Sequence, residues 1–273
     1  ASTLSILNRL DADVVMFNEV NDDERDELEA LADALGHPFV LFPSSNPFGD
    51  QRNAVSSRAT VRSSQAWTSD DLSGDPNAND LTRLPVAVEI EVGDGDVVVL
   101  IDNHINSGFG DVEEFRRAVD GVRTAQVSDQ YDSSRMLVFG DFNAEIDDRY
   151  SDTFSRQPSG APSSYELGDD LTDQLESVGI RNDPFAPLED RGFVVVDALQ
   201  LDGRDATRQE SGRRLDYAFA TAAVHDAGIR SEVYDPRDEG IDGLPKGGEP
   251  PARDAADLAS DHLPVVVEFS VGE

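Results

Sequence analysis

A chain of 273 residues with 38% hydrophobic and 29% charged residues can bury a full core, which excludes a disordered polymer and admits one large α/β domain or two small ones. It has no cysteine, so disulfides, thiolate metal sites and cysteine nucleophiles are excluded, and no apolar run approaches the roughly 20 residues of a membrane-spanning helix. Against 56 acidic residues stand 22 basic ones, of which only Lys246 is a lysine, giving a net charge of −34.

Acid pairs such as Asp22-Asp23, Asp70-Asp71, Asp147-Asp148 and Asp169-Asp170 recur along the whole chain instead of forming a tail. Dispersed acidity of this size repels itself in dilute buffer, whereas about 1 M salt shortens the Debye length to roughly 3 Å and screens it. Together with lysine depletion, this predicts a host living in strong salt and places nearly all the carboxylates on a solvated surface.

In chain order, Ser2 to Leu10 reads as an amphipathic helix and Asp13 to Phe17 as a buried strand, followed by a charged helix from Asp22 to Leu35. Phe39 to Phe42 is a second strand. Ala54 to Ser57 and Val61 to Ala66 pattern as a hairpin-like pair, and Thr68 to Asp80 as a polar loop. Within that loop, Asp75 to Asp80 lacks the Gly and the closing Glu of a calcium-binding EF-hand loop. Leu84 to Val92 and Val97 to Ile101 are strands joined by Gly93-Asp94-Gly95, a hairpin signal. A helix follows from Val112 to Val127. Met136 to Phe139 is a strand, Leu171 to Val178 a helix, and Phe193 to Val196, Leu215 to Ala220 and Leu263 to Phe269 supply further strands. Pro236 to Asp254, rich in Gly and Pro, is a surface excursion. Hairpins among alternating helices and strands predict mixed sheets covered by helices, in one domain over residues 1–273.

Three strands run directly into polar residues: Val14-Val15-Met16-Phe17 into Asn18-Glu19, Val98-Val99-Leu100-Ile101 into Asp102-Asn103-His104, and Met136-Leu137-Val138-Phe139 into Gly140-Asp141-Phe142-Asn143. Ligand sites in α/β sheets collect at such strand ends. Two more polar clusters precede apolar runs, Arg214-Leu215-Asp216 and Ser260-Asp261-His262. If the strands after them run antiparallel to the first three, all five clusters meet at one edge. Carboxylates, histidines and an asparagine around one cleft suit phosphoester hydrolysis: a hard divalent cation prefers carboxylate oxygen, and side chains take and return the proton.

The ordered set Asn18-Glu19-Val20, Asn53-Ala54-Val55-Ser56-Ser57-Arg58, Asn103-His104, Gly140-Asp141-Phe142-Asn143, Arg214-Leu215-Asp216-Tyr217 and Ser260-Asp261-His262 resembles the endonuclease/exonuclease/phosphatase superfamily from Leu7 to Phe269. Any one motif recurs by chance; all of them in order is a specific signal. The resemblance implies the deoxyribonuclease I-like fold, a four-layer α/β/β/α sandwich of two mixed β-sheets flanked by helices. It implies that Glu19 is the principal metal ligand, with Asp261 assisting, and that the metal is Mg²⁺, with Mn²⁺ or Ca²⁺ as alternatives. Asp141 then orients or deprotonates the attacking water and Asn143 holds a phosphate oxygen. His262 contacts the scissile phosphate with Asp216 fixing its imidazole, and His104 donates a proton to the leaving group.

One departure concerns the start. The family opens with a central strand ending in Asn, ahead of the helix with which this sequence begins. Either the sequence is incomplete there or the sheet has lost a strand, and incompleteness is the expectation, because a missing central strand leaves unpaired backbone groups on both neighbours. Asn18 is not assigned the missing role.

The expected function is hydrolysis of phosphodiester bonds in DNA, or RNA, with little sequence preference, by a monomer without a membrane span. Secreted nucleases are common in that family, so the resemblance slightly favours secretion and leaves the compartment open. Two alternatives stay open: action on phospholipid or inositol phosphate head groups, and a silent binding protein of this fold. Plainer roles also exist for the same residues. Glu19 is also a loop acid, Asp141 a turn former, and Asp216 a simple partner of Arg214. His37 and His225 lie outside the motifs, and Arg116, Arg117 and Arg123 are either phosphate contacts or a solvated helix face.

Overall fold

The computed structural model describes residues 2–93, 95–240 and 243–271. Its elements begin with α1 (Ser2–Leu10), β1 (Val14–Asn21), α2 (Arg25–Leu35), β2 (Phe39–Leu41), β3 (Gln51–Ser57), β4 (Val61–Ala66) and α3 (Ser69–Ser73). Then come β5 (Val86–Val92), β6 (Asp96–His104), α4 (Asp111–Ser128), β7 (Met136–Asp141), β8 (Thr153–Phe154), α5 (Asp169–Ser177) and β9 (Ile180–Arg181). The chain ends with α6 (Ala186–Glu189), β10 (Phe193–Val195), β11 (Asp216–Thr221), α7 (Ala222–Ala227), β12 (Ile229–Val233), α8 (Ala255–Ala259) and β13 (Val265–Phe269).

A six-stranded mixed sheet, ordered β10-β11-β7-β6-β5-β4, forms the centre. Its β6–β7 pair is parallel and the others are antiparallel. Side-chain alternation along its strands builds two cores at once. Val98 and Leu100 of β6, Val86 and Val88 of β5, Leu137 of β7, and Ala218 and Ala220 of β11 face inward to the second sheet layer. Their sequence neighbours Val99, Ile101, Ala87, Val138, Tyr217 and Phe219 point the other way, under α4 and α6. There Phe142 stacks on Phe185 with centroids 5.1 Å apart. A strand apolar on both faces belongs between two covering layers, and these runs are that pattern. The expected α/β sandwich therefore stands.

The second layer comes in two pieces, β1-β3-β2 and β12-β13, each antiparallel. Val14, Met16, Val265 and Val267 from both pieces pack on the same inner core. Among the described residues β1 pairs only with β3, and β13 only with β12, so each keeps one edge free.

Several local expectations need correction. β3 and β4 do not pair: β3 joins β1 and β2, whereas β4 crosses to the other sheet and pairs with β5. Their short connection turns a corner between sheets, which periodicity along one strand does not encode. β1 extends to Asn21, with a register shift between Phe17 and Val20 that lets the strand carry Asn18 and Glu19 within it. The polar stretch after Thr68 holds α3, with Thr68 accepting from Asp71 N at its N-terminus. The Gly93-Gly95 turn does join β5 to β6, although its Asp94 lies outside the described residues, as do Ile241 and Asp242 of the Pro236–Asp254 excursion.

Gly140 shows how tightly the site strand is fitted. It has φ +143°, and a Cβ there would lie 1.8 Å from the carbonyl oxygen of Asn103 on β6. Gly140→Ala is expected to cost about 3–5 kcal/mol, since backbone on both sides resists the shift. A urea titration in strong KCl with an unchanged midpoint would contradict this.

Candidate active site

The sheet edge at the end of β6 and β7 gathers the polar clusters. Because β6 and β7 are parallel, His104 and Asp141 are directly opposite each other. β11 runs antiparallel to β7, which places its first residue, Asp216, opposite Asp141. The antiparallel run that brings the clusters to one edge is thus present in β11, and His262, ahead of β13, reaches the same place through its side chain. His262 Nδ1 and Asp216 Oδ2 are 2.8 Å apart. With the carboxylate accepting, Nδ1–H donates, and Nε2 is left for a ligand. Burial opposes the charged imidazolium, but Asp216 outweighs it, with Asp141 and Asp261 adding, and lifts His262 to about 9. Arg214, the alternative partner of Asp216, instead donates to the carbonyl of Val196 and lies 3.5 Å from Asp197.

Asp141 is 6% exposed. Burial first, then the negative charge of Asp216, raise its carboxyl to about 7, with Glu19 adding to the effect. Its Oδ1 accepts from Asn143 N at 2.7 Å, and Asn143 Nδ2 donates to the Ile105 carbonyl at 3.1 Å. That turn holds Asn143 at φ +46°, and the register shift in β1 holds Glu19 at φ +62°. Among the described residues, the other non-glycine with positive φ is Asp11. A left-handed backbone costs energy for a residue with a side chain, and such outliers cluster where a side chain must be aimed.

His104 is 2% exposed. Its Nε2 stands 3.7 Å from Glu19 Oε1 and 3.6 Å from Asp141 Oδ2, outside hydrogen-bond distance, and its Nδ1 has no partner. Burial, then the charges of Arg83 and His262, push it well below the ordinary histidine value, so the ring is neutral at pH 7. Glu19, by contrast, has a side chain 55% exposed, on the open side of the site. Asp261 is also exposed, with Oδ2 3.4 Å from Arg208 Nε.

Among the described residues, Asp141, Asp216 and His262 form the one group whose ligand atoms all lie within 4.8 Å of one another. Neither Glu19 nor Asp261 belongs to it. Its two carboxylates suit a hard divalent cation, whereas His262, lifted to about 9, is a proton donor there and not a ligand. The electrostatics agree: beyond burial, the charges of Asp216 and Glu19 both raise Asp141, and a cation would relieve them.

Three residues here were given no role by sequence reasoning. Asn18 donates to Asn53 Oδ1 at 3.1 Å and to both Asp102 oxygens, and accepts from Asp141 N at 3.3 Å, so it ties β1 to β3, β6 and β7 under the site. Asp102 is 1% exposed and burial pushes its carboxyl well up, against the hydrogen bond from Asn18. Arg83, just before β5, donates from Nη2 to Gln51 Oε1 at 2.9 Å, leaving Nη1 buried without a partner. It acts electrostatically on His104 and feels both Glu19 and Asp141. The signal was a lone arginine in Thr82-Arg83-Leu84-Pro85 ahead of a strand, which is uninformative until the topology is known.

Other candidates fall away. His37 is buried and held by Ser56 and the Ala12 carbonyl, and His225 is exposed on α7. Arg116, Arg117 and Arg123 do not form a solvated face: all three are buried. Arg116 lies over the Phe48 and Tyr165 rings, Arg117 donates to the Asn106 carbonyl, and Arg123 pairs with Asp80.

Comparison with known proteins bears on the family and the fold. A family model described as the Endonuclease/Exonuclease/phosphatase family matches residues 1–262. The fold is similar to an endonuclease/exonuclease/phosphatase from Beutenbergia cavernae DSM 12333 (17% identity, TM-score 0.56), covering 99% of this chain and 66% of that one, just under two thirds of its length. It is similar to ANGEL2, a 2′,3′-cyclic phosphatase (15% identity, TM-score 0.60, 98% and 84% covered). It is also similar to sphingomyelinase C from Streptomyces griseocarneus (15% identity, TM-score 0.55, 94% and 86% covered). No curated protein sequence matches. At these identities the structural likenesses speak for the fold alone.

Proposed function

Since the chain belongs to the endonuclease/exonuclease/phosphatase family, a group of phosphoester hydrolases, we propose that it is a metal-dependent phosphodiesterase cleaving nucleic acid, DNA in the first place, in strong salt. The observation that carries the reading is the Asp216–His262 pair at 2.8 Å, set beside the buried Asp141.

Glu19 is the proposed principal metal-holding carboxylate, with Asp261 assisting, and Mg²⁺ the proposed ion. A divalent cation supplies polarisation of the phosphoryl oxygen and stabilisation of the departing one. The chain's own residues do the rest. Asp141, lifted toward neutrality, accepts a proton from water and aligns it. Asn143 donates to a phosphate oxygen. His262, held by Asp216, presents Nε2 to the scissile phosphate and shares the proton transfer. His104 is buried beside Asp141 and neutral, so it can offer a leaving oxygen a hydrogen bond but not a proton, and the proton comes from the charged His262. We read the chain as one domain.

Net charge of −34 does not oppose a polyanionic substrate in strong salt, where repulsion is screened. The counterion-release gain from arginine–phosphate contacts also shrinks there, so binding is weak, metal-dependent and little concerned with sequence. A DNA footprint that persists unchanged in chelator would contradict this.

The test is nicking of supercoiled plasmid and turnover of a generic phosphodiester, with Mg²⁺, Mn²⁺ or chelator, in dilute and multimolar KCl. Metal-dependent nicking confined to high salt is the expected result. Silence on DNA with turnover of the small diester shifts the substrate to a lipid or nucleotide ester. Glu19→Gln is expected to lower metal-stimulated turnover by at least about a hundredfold with an unchanged circular dichroism spectrum. Near-normal turnover would place the metal elsewhere.

A further inference from the structure

Among the described residues, the aromatic side chains left broadly exposed are Phe109, at 89%, and Tyr150, at 51%. Scattered exposed apolar residues need no explanation; these two are not scattered. Phe109 follows β6, whose last residue is His104, and Tyr150 follows β7, whose last residue is Asp141. The strands are parallel neighbours, so both loops leave the same sheet edge.

Both loops are braced while the rings are not. Around Phe109, Gly108 and Gly110 have φ of +102° and +98°, and the buried Arg117 donates to the carbonyls of Asn106 (3.0 Å) and Gly108 (3.3 Å). Asn106 adds a bond to the Ser107 carbonyl at 2.9 Å. Beside Tyr150, Arg149 is held by Glu189 at 2.6 Å and by the Ile146 carbonyl at 3.0 Å. Such rings meet a ligand without first being ordered.

We propose that Phe109 and Tyr150 form a stacking platform for unpaired bases of a single-stranded nucleic acid whose phosphate lies at the Asp141–His262 site. The inference rests on the nuclease reading. Charge favours it: the chain has no excess of cations to draw in a backbone, and strong salt weakens such attraction further. Base–aromatic stacking is insensitive to this and tolerates every base. A bilayer is the lesser occupant, because insertion favours several apolar side chains flanked by cations. Here the flanks are Ser107, Gly108, Gly110 and Asp111 on one loop, and Asp147, Asp148, Arg149 and Ser151 on the other, with the one cation, Arg149, already paired with Glu189.

The test compares kcat/KM for a 12-mer oligothymidylate with that for a 12-mer of abasic residues, in multimolar KCl with Mg²⁺. The wild-type preference for the base-bearing strand is expected to fall about tenfold in Phe109→Ala and in Tyr150→Ala, and to survive in Phe109→Trp. Equal losses on both strands, or no loss, would overturn the platform while leaving the nuclease reading in place. Loss of turnover on sphingomyelin vesicles without loss on the oligonucleotide would overturn it in favour of a bilayer. No cleavage of either strand by the wild-type protein would instead sink the nuclease reading, and the platform with it.

Discussion

Replacing His262 with alanine is expected to lower kcat for phosphodiester hydrolysis about a thousandfold, within the range that a positioned acid–base group contributes. The ring is the part of the site whose placement is most fully determined. Asp216 at 2.8 Å accepts from Nδ1–H and so fixes the ring's orientation, and the His262 backbone N–H is itself held by Ser260 Oγ at 3.0 Å. Asp216→Asn preserves shape but replaces an acceptor-only group with an amide, so the ring loses its orientation and the charge that lifts it to about 9. Asp216→Asn should therefore show a smaller loss than His262→Ala. The double variant should be little worse than His262→Ala alone, as expected of groups acting as one unit. Added imidazole should restore part of the alanine variant's rate and leave the wild type's unchanged. His262 is not fully buried, so near-ultraviolet circular dichroism should be unchanged. A variant that keeps near-normal turnover would mean that the chemistry lies elsewhere.

The parts of this arrangement legible in the sequence are those where a polar residue interrupts an apolar strand. Glu19, His104 and Asp141 announce themselves because each closely follows an apolar run, Val14 to Phe17 (half-buried), Val98 to Ile101 (buried) or Met136 to Phe139 (buried but for Phe139). Apolar runs also anticipated most strands of the six-stranded sheet. Pairing was less legible. Val61 to Ala66 lies close in sequence to Ala54 to Ser57 yet joins the other sheet, a choice made by packing across the sandwich, which local pattern does not record. Asn18 and Arg83 were missed for a related reason: each acts through partners distant in the chain, Asp102 for one and His104 for the other. The arginines of α4 mislead in the opposite direction. On a strongly acidic chain, Arg116, Arg117 and Arg123 look like surface cations, but acids and carbonyls draw them inside.

Arg123 carries the second large prediction, one of stability. Its side chain and that of Asp80 are both 0% exposed. The guanidinium donates to Asp80 at 2.8 and 2.5 Å and to Asp170 at 2.8 and 3.1 Å, and Asp80 also accepts from Gly168 N at 3.0 Å. One arginine thus clamps the loop before β5 and the start of α5 onto α4. Arg123→Met leaves Asp80 buried without its countercharge and is expected to cost about 3–5 kcal/mol. Because the pair is buried, the loss should persist in multimolar KCl, where surface ion pairs are screened. Removing both partners, Asp80→Leu with Arg123→Met, should cost less than the sum of the single changes. The pH dependence follows from Asp170. Burial alone would raise its carboxyl, but hydrogen bonds and charge from Arg123 outweigh that and hold it below the ordinary 3.8. A carboxylate depressed on folding stabilises above its unfolded value, and that contribution is lost as pH falls through the folded one. The wild-type protein should therefore lose stability as pH falls below about 3.8, and Arg123→Met should lack this part of the acid limb. Urea midpoints measured at pH 7 and across pH 2 to 5 separate the two effects. A variant with an unchanged midpoint at neutral pH would show that the clamp is not what joins these segments.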